Sequence, residues 1–299
     1  PDLNLSGFDF KIEGKNIRYG LNSIKGVSDK VMESLVEFRE GSFKNKYDVF
    51  ITAKDCGVNI GTMSAFAQAG LLDSFVDKDR CRLVLEAQTF NILTDREKRN
   101  VIELGPKFNY DILNTIHDCR SETTPADDGR VLFSDKRFNT FKKKYDPYKS
   151  IYEQNTSHLK FANWFFETKL LGYSYSYNVR EIFSSGDEES FQTSEEIRLS
   201  QARRTVKFVG IIADISRRTS RNGNKYARLD INDELGTVSG LFMDSDRQER
   251  LTDYLNCGNK LPKKGDVVIV VGDTADDLIF INTLRPLREK IYMKLSELK

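Results

Sequence analysis

The chain opens with strand-like alternation. Leu3, Leu5, Phe8 and Phe10, then Ile12, Ile17 and Tyr19, are interleaved with polar residues, and Gly14-Lys15 between the two runs predicts a β-hairpin. The period then lengthens. Over 28–39, Val31, Leu35 and Phe38 form one stripe flanked by Met32 and Val36. That is helical spacing, with Ser28 as N-cap and Asp29 in the first turn. Residues 62–69 predict a short helix of small residues, stopped by Gly70. A longer helix is expected over about 78–100. Leu83, Leu85, Ala87, Phe90 and Leu93 would pack, and Lys78, Arg80, Arg82, Arg96, Lys98 and Arg99 would lie on its surface.

Further on, 121–130 reads as a polar loop. The stretch 136–178 is first basic, then aromatic, with Phe161, Trp164, Phe165 and Phe166 close together. Contiguous rings cannot all face one way, so packing is the expected role of this cluster. An acidic, Ser-rich run at 184–196 predicts a linker. The rest is strand-rich: 206–216, 225–232, 237–243, 267–272 and 278–284, with a helix expected within 244–257. Five strands with a helix between the third and fourth is the order of an OB-fold barrel. The expected fold is therefore α+β and multidomain: a mainly helical helix-hairpin-helix domain followed by a five-stranded OB-fold barrel. The expected division is 1–120 with tandem hairpins, 121–183 as a connecting region, 184–203 as the acidic linker, and 204–299 as the barrel with a C-terminal helix.

Ile24-Lys25-Gly26-Val27-Ser28 places an apolar residue before a Gly-containing turn and an amphipathic helix after it. This is the form of a helix-hairpin-helix, whose turn presents N–H groups to phosphate without reading the base. The plain alternative is an ordinary helix–helix turn. A second unit, entered through Asn59-Ile60-Gly61, strengthens the functional reading. Lys25, Gly26, Val27, Ser28, Asn59 and Gly61 are thus the candidate contacts to duplex DNA. Between the first two barrel strands, Arg217, Arg218, Arg221, Lys225 and Arg228 occur with no acid among them, and Tyr226 offers a ring. Cations with an aromatic platform suit a single strand on an OB-fold; the alternative is a solvated hairpin tip.

Net charge is only +1 over 299 residues, so nucleic-acid binding has to come from local patches. No apolar run is long enough for a membrane span. Cys56, Cys81, Cys119 and Cys257 show no C-x-x-C pair, which argues against a structural zinc site and fits a reducing cytoplasm. The chain opens at Pro1 rather than Met and is expected to be a processed product or one part of something larger. No nucleotide-binding loop, nucleophile elbow or zinc-protease motif is present. A two-metal polymerase or nuclease site needs gathered carboxylates, and Asp2, Asp9 and the acidic run lack that context. No catalytic residue, metal ligand or cofactor is therefore assigned.

Pro1-Asp2-Leu3-Asn4-x-Ser6-Gly7-x-Asp9-Phe10, followed by Ile17-Arg18-Tyr19-Gly20-Leu21-x-x-Ile24-Lys25-Gly26-Val27, resembles the end of the fingers in the bacterial DNA polymerase III alpha subunit (the C family). Ala65–Phe75, ending Ala69-Gly70-Leu71-Leu72-Asp73-Ser74-Phe75, is similar to that family's next element. Glu167-Thr168-Lys169-Leu170-Leu171-Gly172-Tyr173 is similar to its Glu-x-x-x-Leu-Gly-Phe-Tyr block. The family's following Ser-Gly-His-Pro is Ser176-Tyr177-Asn178-Val179 here. The resemblance implies a DNA-binding C-terminal portion of a replicative polymerase, of bacterial or phage origin and cytoplasmic. In the family the palm lies upstream of this region, so its Mg2+ and catalytic aspartates are expected on a palm elsewhere, for instance on a separate chain. The family's sliding-clamp motif falls between the hairpins and the OB-fold. Val131, Leu132 and Phe133, after Arg130, occupy that interval without the usual Gln and are the candidate clamp-docking peptide; the alternative is a loop tucking two side chains into the core. Two other functional classes stand beside this one: a freestanding tRNA-binding accessory module, and a repair nuclease that would need an acidic metal cluster.

Overall fold

The computed structural model describes residues 1–27, 43–75, 79–119, 129, 131–184, 191–200, 202–245 and 248–287, with isolated positions of 31–39. Ser28, Arg130, 121–128 and the expected C-terminal helix lie outside the described residues. The chain forms two compact units, one within Pro1–Tyr173 and one within Ser174–Tyr292. The fold is α+β: a helical unit with the hairpins, then a mostly sheet unit.

In the first unit, β1 (Lys11–Glu13) and β2 (Asn16–Arg18) form the expected antiparallel hairpin. Gly14 in the turn has φ +64°. Helices follow: α1 (Lys46–Asp55), α2 (Ile60–Ala69), α3 (Arg80–Ile92), α4 (Asp95–Leu104), α5 (Ile112–Asp118), α6 (Asp135–Asn155) and α7 (Leu159–Leu171). The single helix expected over 78–100 is two. Thr94 accepts the Glu97 N–H while the Glu97 side chain takes the Thr94 N–H, and this capping box starts a new helix after α3. Gly70, at φ +86°, ends α2 as expected.

The segments that carry the family resemblance are the joints of this unit. Asp2 accepts the N–H groups of Asn4 and Leu5 and donates its own to Ser6 Oγ. That turn is anchored where the Leu3 N–H meets the Leu71 carbonyl at 3.0 Å. Gly20 has no room for a side chain, because a Cβ would come within 2.6 Å of the Phe8 and Asp9 backbone. Tyr19 Oη donates to the Leu171 carbonyl at 2.7 Å, and the Lys25 N–H donates to the Leu170 carbonyl at 2.8 Å.

Arg80 corrects a second expectation. It is not a surface residue: its side chain is 1% exposed. It forms a bidentate pair with Asp73 (3.0 and 2.6 Å) and reaches Glu167, itself fully buried, at 2.6 Å. One guanidinium thus neutralises carboxylates from two of the resembling segments. The aromatic cluster packs as expected, with Phe161, Trp164 and Phe166 buried.

The second unit holds α8 (Val179–Phe183), α9 (Ser194–Leu199), β3 (Thr205–Thr219), β4 (Lys225–Asn232), β5 (Thr237–Ser245), β6 (Gln248–Glu249), α10 (Arg250–Asn256), β7 (Val267–Ala275) and β8 (Leu278–Pro286). The order β4-β3-β7-β8-β5, with β4 also paired to β5, closes a five-stranded barrel. All pairings in the barrel are antiparallel except β5 with β8, and α10 sits in sequence between its third and fourth strands, the OB-like arrangement. Alternate residues fill the interior, among them Phe208, Leu229, Phe242, Val270 and Ile281. Residues 191–200 do not behave as a linker. Phe191 is buried, Ile197 joins the barrel core, and the Gln192 N–H donates to the Lys207 carbonyl at 2.9 Å.

Candidate nucleic-acid interface

Both hairpin turns are built on a glycine that only a left-handed backbone satisfies. Gly26 has φ +88° and Gly57 has φ +75°, values costly for a residue with a Cβ. Ile24 is buried before the first turn, Lys25 and Gly26 are exposed, and Val27 is half-buried. The Val27 N–H closes the turn on the Ile24 carbonyl. The Lys25 N–H is committed to the Leu170 carbonyl, so the group Lys25 has left to offer an anion is its ammonium.

The second turn lies earlier than the sequence motif suggested. It is Cys56-Gly57-Val58-Asn59, with the Val58 N–H on the Ala53 carbonyl at 2.8 Å. Asn59 is the N-cap of α2 and accepts the Thr62 N–H at 3.0 Å. Ile60 and Gly61 are already helical. In sequence, Gly57-Val58-Asn59 repeats Gly26-Val27-Ser28; that register was the available signal, and Gly57 is the residue it adds. Asn59 and Gly61 are exposed at the α2 N-terminus, where unbonded N–H groups and the helix dipole favour an anion.

In the barrel unit, β3 and β4 continue beyond the core as a two-stranded ribbon. Arg217, Arg218, Arg221, Lys225 and Arg228 are exposed along it, and Tyr226 is half-buried. Gly223, at φ +83°, makes the tip turn, and the Gly223 N–H donates to the Ser220 carbonyl. Cross-strand pairing sorts the cations. Arg218 lies opposite Tyr226, and Tyr226 opposite Met243; Arg228 lies opposite Leu241. Opposed residues share a face, so Arg218, Tyr226, Arg228, Leu241 and Met243 line one outward surface. Arg217 and Lys225 belong to the other face of the ribbon. Leu241 and Met243 went unnoticed in the sequence because they alternate with a buried set, Val238, Gly240 and Phe242, and only the pairing register shows what they adjoin. Arg228 is partly engaged, reaching Asp230 at 3.3 Å and Ser239 at 3.0 Å.

The docking peptide is the clear disagreement. Leu132 and Phe133 are 4% and 1% exposed. Phe133 stacks on Phe141 with centroids 4.7 Å apart, and the Leu132 N–H donates to the Cys119 carbonyl. Val131 is half-buried. Two of the three side chains are spent on the core, so this segment does not offer them to a clamp.

Among the described residues, no three His, Cys, Asp or Glu side chains gather as metal ligands, and no helix is long and apolar enough to cross a membrane.

Residues 1–83 match the family model described as a helix-hairpin-helix motif, a span that contains both turns. The DNA polymerase III subunit alpha of Thermus aquaticus is 26% identical over 240 residues, covering 80% of this chain. The chain is a relative of the DNA polymerase III alpha subunit. Its resemblance is to the C-terminal portion of that subunit. The alpha subunit of Aquifex aeolicus is 35% identical over 117 residues, and that of Caulobacter vibrioides 34% over 89. The chain spans 17%, 10% and 8% of these three alpha subunits in turn.

Proposed function

We propose that this chain grips DNA as the C-terminal part of a polymerase III alpha-type replicase, holding product duplex at its paired hairpins and guiding single-stranded template along its barrel. The observation that carries the reading is the repeated turn: two left-handed glycines, each followed by Val, the second leading into the helix cap Asn59, within the stretch matching the helix-hairpin-helix model. The ribbon supports the second half, since it sets Arg218 and Arg228 around Tyr226 beside the apolar Leu241 and Met243, a combination suited to phosphates and stacked bases. The chain supplies grip rather than chemistry, so a primed template with the purified protein should show no nucleotide incorporation.

Fluorescence anisotropy across a salt series tests this. Primed DNA should bind more tightly than tRNA. Alanine at Arg218, Arg221 and Arg228 should reduce the single-strand salt slope by roughly 2, at about 0.7 per neutralised phosphate. Tighter binding to tRNA, or a salt slope untouched by the triple substitution, would refute the assignment.

A further inference from the structure

The basic stretch that begins at Lys136 serves neither the hairpin turns nor the barrel. It forms the first half of α6, a helix of 21 residues. Phe141 and Tyr145 bury one face of that helix. Two polar ties fix it to its neighbours. Arg137 meets Glu97 of α4 at 2.7 and 2.9 Å, and Tyr152 Oη donates to Asp79, the N-cap of α3, at 2.8 Å. Since α3 packs on α2, α6 stands in one frame with the second hairpin. Its outward charges are sorted rather than mixed. The acids Asp135, Asp146 and Glu153 are spaced by whole numbers of turns and share one stripe. Lys142 and Lys149 lie beside that stripe and pair with it, reaching Asp146 at 3.9 Å and Glu153 at 3.5 Å. Lys136 and Lys143 lie on another stripe with Thr140 and Pro147, all four exposed, and Lys144 is exposed on its flank. Among the described residues no carboxylate pairs with Lys136, Lys143 or Lys144.

Charge complementarity names the occupant. Lys136 and Lys143 are two turns apart, roughly 10 Å along the axis, so the stripe offers a row of cations to a row of anions. None of the exposed large apolar side chains among the described residues lies on α6, so the stripe lacks the buried anchors on which a protein partner's interface turns. Cations on a polar face suit phosphates read without regard to base. We infer that the Lys136 and Lys143 stripe of α6, flanked by Lys144, is a further contact to the backbone of duplex DNA, extending the grip beyond the two hairpin turns. The inference rests on the DNA-binding reading above and adds a surface that reading does not contain.

The test compares two matched pairs of substitutions in the whole chain, each removing two lysines two turns apart on the same helix. The probe is a fully paired duplex, titrated across a salt series. Lys136→Ala with Lys143→Ala should reduce the salt slope by roughly 2, at about 0.9 per neutralised phosphate. Lys142→Ala with Lys149→Ala, which removes the same net charge from the acid-paired flank, should leave the slope nearly unchanged. Lys136→Arg with Lys143→Arg should keep it. Alanine is a good helix former, so both alanine pairs should melt with the unaltered chain. A slope that the Lys136 and Lys143 pair does not move overturns the inference while leaving the hairpin grip intact. Equal losses from the two alanine pairs also overturn it, since net charge rather than the stripe would then be acting. So does a stripe that binds poly-glutamate while the duplex slope stays fixed, which would make the partner an acidic protein. Failure of the unaltered chain to bind duplex overturns this inference together with the reading beneath it.

Discussion

At the scale of single residues, the strongest statement concerns Arg80. Its guanidinium meets Asp73 through two nitrogens and Glu167 through a third contact, with Glu167 sealed from solvent. Removing one member of a buried ion group strands the others, at a cost of about 3–5 kcal/mol. Arg80→Ala should lower unfolding stability by that amount in urea titration. Arg80→Lys should recover little, since one ammonium cannot reproduce the planar fork. Glu86 makes a different prediction. Burial pushes its carboxyl up to about 7, against the opposing pull of Lys46 and Arg82, with Asp111 adding to the rise. A folded-state pKa above the ordinary 4.5 means the folded state binds the extra proton. The stabilisation is full below pH 4.5 and is lost as pH rises toward 7. Glu86→Gln cannot titrate, so denaturation midpoints across that window should fall for the unaltered protein and stay flatter for the variant. Parallel curves would remove Glu86 as the cause.

At the scale of elements, the hairpins separate structural from binding roles. Asn59 caps α2, and losing a cap costs about 1 kcal/mol. Asn59→Ala should therefore destabilise by that amount, and Asn59→Ser should restore it. If Asn59→Ala leaves stability unchanged, the capping bond is not what starts α2. The same element shows what the sequence made legible. The barrel was readable because β3 to β8 alternate with period two and the turn residues punctuate them. The break between α3 and α4 was readable from Thr94 and Glu97 but was overridden by a continuous apolar stripe. The partners of Arg80 were not readable: Asp73 is 7 positions away and Glu167 is 87, and a charged residue in a basic helix reads as surface. The acidic run around 184–196 concealed Phe191 and Ile197, two apolar anchors that composition alone averages out. For the site, the cations of the ribbon were named in advance, whereas the Leu241 and Met243 surface depended on strand register. Gly57 depended on aligning one turn against the other.

At the scale of the whole molecule, each unit carries its own core. The barrel closes on itself, with β3, β4, β5, β7 and β8 each hydrogen-bonded to two neighbours, and its interior is a single cluster from Ile197 to Leu284. The Arg80 group belongs wholly to the other unit, as do both hairpin turns. Units with separate cores need not unfold together. Calorimetry of the full chain should therefore resolve two transitions, and Arg80→Ala should shift only one of them. A fragment covering 174–287 should reproduce the transition that Arg80→Ala leaves alone, because it retains all five barrel strands and the packed residues 191–200. On the function proposed above it should also keep the single-strand affinity of the full chain, while duplex binding disappears with the hairpins. A single transition that Arg80→Ala moves as a whole would mean that the two cores are energetically one. In that case the proposed duplex and single-strand grips could not be assayed apart, and the fragment would lose the affinity expected of it.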